Sequence, residues 1–140
     1  MRKSIFFLLS IMTLVACQPK AAQSESAAPK MYEPSEMALL MRQMHALNEQ
    51  AKLRIEAGEA VDPFPEELVA IHSAAMTDPS DRDAEFDSLA VAFLDYQKNT
   101  FGAHTSTTKV NYNNSIKTCI ACHETRCAGP IPKIKKLLID

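Results

Sequence analysis

Between residues 37 and 55 the apolar side chains return at every third or fourth position: Met37, Leu40, Met41, Met44, Leu47, Ala51 and Ile55. That spacing draws one stripe along an α-helix of about 3.6 residues per turn, and no long stretch of the chain alternates with the period of a strand. Ser35 stands where an N-cap hydroxyl belongs, and Gly58 where a left-handed residue ends a helix. A second helix is expected after Asp62-Pro63-Phe64-Pro65-Glu66-Glu67, with Leu68, Ile71, His72, Ala75 and Met76 sharing a face and Asp78-Pro79-Ser80-Asp81 breaking it. A third runs from about Asp83 to Lys98, carrying Phe86, Leu89, Ala90, Phe93, Leu94 and Gln97 on one side. A fourth spans Thr107 to His123, with Tyr112, Ile116, Cys119, Ile120 and His123 in line. With 140 residues, 3 Gly and no Trp, the chain has the size of one domain and a composition that favours helices. The expected fold is all-α, an antiparallel four-helix bundle over residues 35–126. A rigid corner at Gly129-Pro130-Ile131-Pro132 and a short helical turn within Lys133–Ile139 follow, in a C-terminal extension over residues 127–140.

The start of the chain reads as an address. Met1-Arg2-Lys3 is basic, and the apolar run from Ile5 to Ala16 is too short for a bilayer, which takes about 20 residues, but suits an export signal. Leu14-Val15-Ala16-Cys17 resembles the lipobox of bacterial lipoproteins, which implies cleavage of residues 1–16 and lipid on Cys17. The resemblance implies the periplasmic face of a bacterial membrane, and Gln18 beside Cys17, which is no inner-membrane retention signal, points to the outer membrane. Residues 17–34, poor in bulky side chains, form the tether, and Met31 and Tyr32 are its two candidates for packing on the domain.

The chemistry lies in Cys119-Ile120-Ala121-Cys122-His123. In the pattern Cys-x-x-Cys-His the two thiols each add to one vinyl group of a haem, and the adjacent imidazole reaches the iron. An export signal agrees with that reading, because haem is attached in this way outside the cytoplasm. Three other readings compete. A thioredoxin-type dithiol sits at a helix start after a strand, in a βαβ context absent here. A zinc site needs a second pair of ligands, for which Cys127 and His104 are poor candidates. A Cys119–Cys122 disulfide leaves His123 without a role.

The order of these features resembles the cytochrome c-prime superfamily, including its low-spin, Met-ligated relatives. The resemblance covers residues 35–126. It is carried by Arg42-Gln43-Met44, Gly58-Glu59, Phe64, Ile71-His72-Ser73-Ala74, Phe86, Phe93 and Cys119 to His123. It implies a four-helix bundle with one covalent haem c near the end of the last helix and His123 as the proximal iron ligand. The family's basic residue four places beyond the haem His is Cys127 here, with Arg126 one place earlier, and the tail from Gly129 to Asp140 has no counterpart. In the family the residue opposite the His comes from the first helix, aliphatic in gas-binding members and Met in electron-transfer ones. Aligning on Gly58-Glu59 puts Met41 nearest that position, with Met44 and Met37 as alternatives. His45, beside the same stripe, is the rival donor on that helix; His104, in a loop, is a further one, and His72 reads as a packed or partly exposed helix residue.

Net charge is −2, which excludes a strongly basic nucleic-acid binder. The charge is uneven: residues 25–95 carry 15 acids and 5 bases, whereas residues 96–140 carry 2 acids and 7 bases. A basic haem-bearing end suits a redox protein partner with an acidic docking patch. Cys127, left over once Cys17, Cys119 and Cys122 are assigned, either links two chains as a homodimer or packs as a small apolar residue at the haem edge. The expected function is that of a lipid-anchored one-electron carrier that turns over no substrate. A nitric oxide or carbon monoxide sensor or scavenger with an open sixth position is the alternative, and a haemless interaction lipoprotein is the third.

Overall fold

In the computed structural model, residues 33–102 and 105–140 are described. The expected signal and tether through Tyr32, the expected lipid acceptor Cys17 and the candidate ligand His104 lie outside them. Among the described residues the chain is all-helical, with no strand.

Helix α1, Glu36–Glu56, begins at the Ser35 cap, whose Oγ accepts the Ala38 backbone N–H at 3.1 Å. It ends where Gly58 takes φ +70°, letting the Gly58 and Glu59 N–H groups turn back onto the Ile55 and Arg54 carbonyls at 3.1 and 2.9 Å. Helix α2, Ala84–Lys98, is capped by Asp83, whose Oδ1 accepts the Phe86 N–H at 2.7 Å. Helix α3, Thr108–Arg126, runs three residues past the expected end at His123.

The second expected helix does not form as an α-helix. Glu66–His72 make a seven-residue 3₁₀ segment instead. With about three residues per turn, Leu68, Ile71 and Ala74 align inward, while His72 and Ala75 of the expected face turn outward. The long-range partners explain why the segment stops short. The Arg82 guanidinium donates to the carbonyls of Ile71, His72 and Ala74 at 3.3, 2.6 and 2.7 Å. Ala75 pairs with the start of α1, giving its N–H to Glu36 Oε2 at 2.9 Å and accepting the Met37 N–H at 3.0 Å. Carbonyls and N–H groups that would extend a helix are therefore taken by other elements, and a helix this short has little intrinsic stability to resist.

Two apolar clusters make the core. One joins Met37, Leu40 and Met44 of α1 to the 3₁₀ segment and to Phe86, Ala90, Phe93 and Leu94 of α2. The other joins Ala51, Val61, Phe101, Tyr112 and Ile116 to the tail residues Ile134, Leu137 and Ile139. The tail, α4 (Ile131–Ile134) and the 3₁₀ turn after it, is thus built into the core. Tyr112 Oη donates to the Leu137 carbonyl at 3.0 Å, Lys52 Nζ to the Leu138 carbonyl at 2.8 Å, and Asn113 pairs with Ile139 through both N–H and C=O. No described helix is long and apolar enough to cross a membrane.

Candidate functional site

Positions 119, 122 and 123 are one helical face, because side chains three and four apart on a helix are neighbours. All three line a cavity of about 390 Å³ between α1 and α3, within the range of roughly 300–1,000 Å³ usual for ligand pockets. Met37, Met41, Met44 and His45 of α1 line it too, as do Met76 and Phe86. Every described residue the sequence singled out for haem or iron therefore meets at one void. Ile116 of α3, in line with Cys119 and His123, closes it together with residues the sequence left unassigned: Pro130, Lys133, Ile134 and Leu137 of the tail. Their only sequence signal is the spacing of Ile131, Ile134 and Leu137, which marks a helical face but not what it covers. A smaller void of about 40 Å³, also bounded by Met41, Met44, Cys119, Cys122 and His123, lies toward Leu89 and Phe93 of α2.

His123 is buried, and its Nδ1 is 3.1 Å from the Cys127 carbonyl oxygen and 3.2 Å from Cys127 Sγ. A carbonyl only accepts, so Nδ1 carries the proton and Nε2 keeps the lone pair. That is the arrangement of a metal-ligating imidazole, with one nitrogen anchored and the other free to coordinate. Helix α3 supplies the acceptor by ending at the Cys127 cap, whose N–H returns to the His123 carbonyl.

The thiols are the opposite of activated. Burial, with Cys122 nearby, pushes the Cys119 thiol up to about 12, and burial raises Cys122 and Cys127 as well. Dithiol redox catalysts work through a lowered thiol pKa, so this pair is poorly suited to that chemistry. All three described cysteines are unbridged. Among the described residues no group of three His, Cys, Asp or Glu side chains gathers around a common point as a self-sufficient metal site needs. A haem asks less of the protein, since the porphyrin supplies four donors and only axial ligands are wanted.

Arg126 lines the cavity, but its guanidinium is bonded to protein groups. Its Nε donates to the Asp81 carbonyl at 3.1 Å and its terminal nitrogen to Asp83 Oδ1 at 2.5 Å and Glu85 Oε2 at 3.3 Å, tying the end of α3 to the start of α2. Arg42 and Lys133, both exposed, are the cations on the cavity rim that form no ion pair among the described residues. His72 is exposed and away from the cavity. A comparison of the chain with protein-family models, curated proteins and solved structures finds no match in any of the three.

Proposed function

We propose that this protein is a monohaem c-type cytochrome, a one-electron carrier rather than an enzyme, held by lipid on Cys17 at the periplasmic face of a bacterial membrane. The observation that carries the reading is the meeting of Cys119, Cys122 and His123 with a stripe of α1 donors across one largely apolar cavity. Bound there, haem c supplies reversible one-electron chemistry between Fe(III) and Fe(II). The chain holds the group through thioethers from Cys119 and Cys122 and orients the His123 imidazole through the Cys127 carbonyl. Met41, Met44 and Met37 on one stripe, and His45 one turn further on, are the α1 donors that line the same cavity and could supply a second iron ligand, and the apolar walls would keep water from the iron. In a family-like four-helix bundle, the 3₁₀ segment stands in the place of the second helix.

A gas-binding relative needs an open sixth position, and the number of donors that α1 turns to the cavity favours the carrier. The exposed Lys117, Lys133, Lys135 and Lys136 support docking to an acidic redox partner.

The test is export of the full chain in a host that matures c-type cytochromes. The expected result is a protein that stains for haem after denaturation and gains the mass of one haem, with both signals lost in the Cys119→Ala/Cys122→Ala variant. Unmodified mass and no stain in the natively matured protein would overturn the proposal.

A further inference from the structure

His45 has a largely buried ring and an unused nitrogen. It sits one helical turn beyond Met41 on α1 and lines the same cavity as His123. Its side chain is 13% exposed, and its Nδ1 lies 3.4 Å from Glu49 Oε2, one turn further along α1. The other ring nitrogen, Nε2, is shut off from solvent and has no hydrogen-bond partner among the described residues. A buried polar atom without a partner is unfavourable, and native proteins rarely keep one unless a ligand or ion completes it.

The two histidines are matched. In each, Nδ1 lies near an oxygen on its own helix end or next turn: the Cys127 carbonyl, hydrogen-bonded at 3.1 Å, for His123, and the Glu49 carboxylate, in looser contact at 3.4 Å, for His45. In each, that leaves Nε2 as the nitrogen available to a metal. An imidazole held at Nδ1 by a carboxylate or carbonyl is the usual outer-shell arrangement of a metal-bound histidine. The methionines lack an equivalent. Met37 and Met44 are buried in the apolar cluster with Leu40, Leu68 and Phe86, and Met41 packs against the same cluster. Their packing alone accounts for them, whereas nothing accounts for His45 Nε2.

Resting on the haem reading above, we infer that His45 supplies the second axial ligand through Nε2, opposite His123, and that Met41 packs against the porphyrin face. Bis-imidazole ligation gives a low-spin iron closed to small ligands. It also sets a lower reduction potential than a His–Met pair, since thioether ligation raises it.

The test uses the matured, haem-loaded full chain, with haem content read separately by mass and stain. The wild-type ferric protein should be low-spin, with the electron-paramagnetic signature of two imidazoles and without the far-red charge-transfer band of thioether-ligated ferric haem. His45→Ala should turn it high-spin, and added imidazole should restore the low-spin spectrum. Met41→Leu should leave the spectrum unchanged, and His45→Met should raise the potential. A thioether band in the wild type, lost in Met41→Leu, would overturn the inference and leave the haem reading intact. A high-spin wild-type spectrum would overturn it as well. Absence of haem would remove both together. Where His45→Ala fails to accumulate, the wild-type spectrum decides the question.

Discussion

Replacing Gln97 by Leu tests what holds α1, α2 and α3 in register beneath the cavity. Gln97 is fully buried, and its Nε2 donates to Asn48 Oδ1 at 2.9 Å and to Ser115 Oγ at 2.7 Å. Asn48 Nδ2 in turn donates to the Met44 carbonyl, and Ser115 Oγ to the Tyr112 carbonyl. One side chain of α2 thus links α1 to α3, and Asn48 is itself in the cavity wall. Leu nearly matches Gln in size, so the cavity contribution is small and the polar balance decides. Two buried hydrogen bonds are lost at about 1 kcal/mol each, and leaving Asn48 Oδ1 without a donor costs about 2 kcal/mol more. Removing Gln97 Oε1, which has no partner among the described residues, returns about 1 kcal/mol. The net expectation is a loss of about 3 kcal/mol, a large share of the roughly 5–15 kcal/mol that holds a domain together. Because Asn48→Leu removes the stranded acceptor, and the bond the two share is lost in either single, the double variant should lose about 3 kcal/mol less than the sum of the two singles. Urea unfolding of the matured protein, followed by far-ultraviolet circular dichroism, measures both. A Gln97→Leu variant within about 0.5 kcal/mol of wild type, or strict additivity of the pair, would refute the reasoning.

Two further outcomes are expected. Leu137→Ala should cost about 2–4 kcal/mol, since the side chain is 5% exposed and closes both the second apolar cluster and the cavity wall; the same urea titration reads it, and a surface-like loss would detach the tail from the core. The Asp83 carboxyl is held below the ordinary aspartate range, first by the Phe86 backbone N–H and further by Arg126, so its stabilisation is present above that range and lost as pH falls through the lowered value. Thermal midpoints should therefore be level near neutrality and fall in acid, and Asp83→Asn should flatten that acid arm; an unchanged acid slope would exclude the group.

Much of the fold is legible in the chain because its signals are local. Ser35, Gly58 and Asp83 cap or close helices through bonds to residues within three positions, so α1 begins and ends, and α2 begins, where those residues stand. The Cys-x-x-Cys-His string is equally local, since positions 119, 122 and 123 must share a face of any helix. The second helix was not legible. An apolar spacing that fits 3.6 residues per turn over nine positions collapses to a 3₁₀ turn once Arg82 and Glu36 claim its backbone.

What the chain determined by itself is its helical class, the caps of α1 and the start of α2, and the shared helix face of the Cys-x-x-Cys-His string, all set by near neighbours in the sequence. Only the tertiary structure decided that the tail walls the cavity through Ile134 and Leu137, that Arg126 is spent on the start of α2, and that His45 carries a nitrogen no described residue satisfies. The physical reason is that burial and hydrogen-bond satisfaction depend on which distant segments arrive at a place, and spacing along a chain does not encode that arrival.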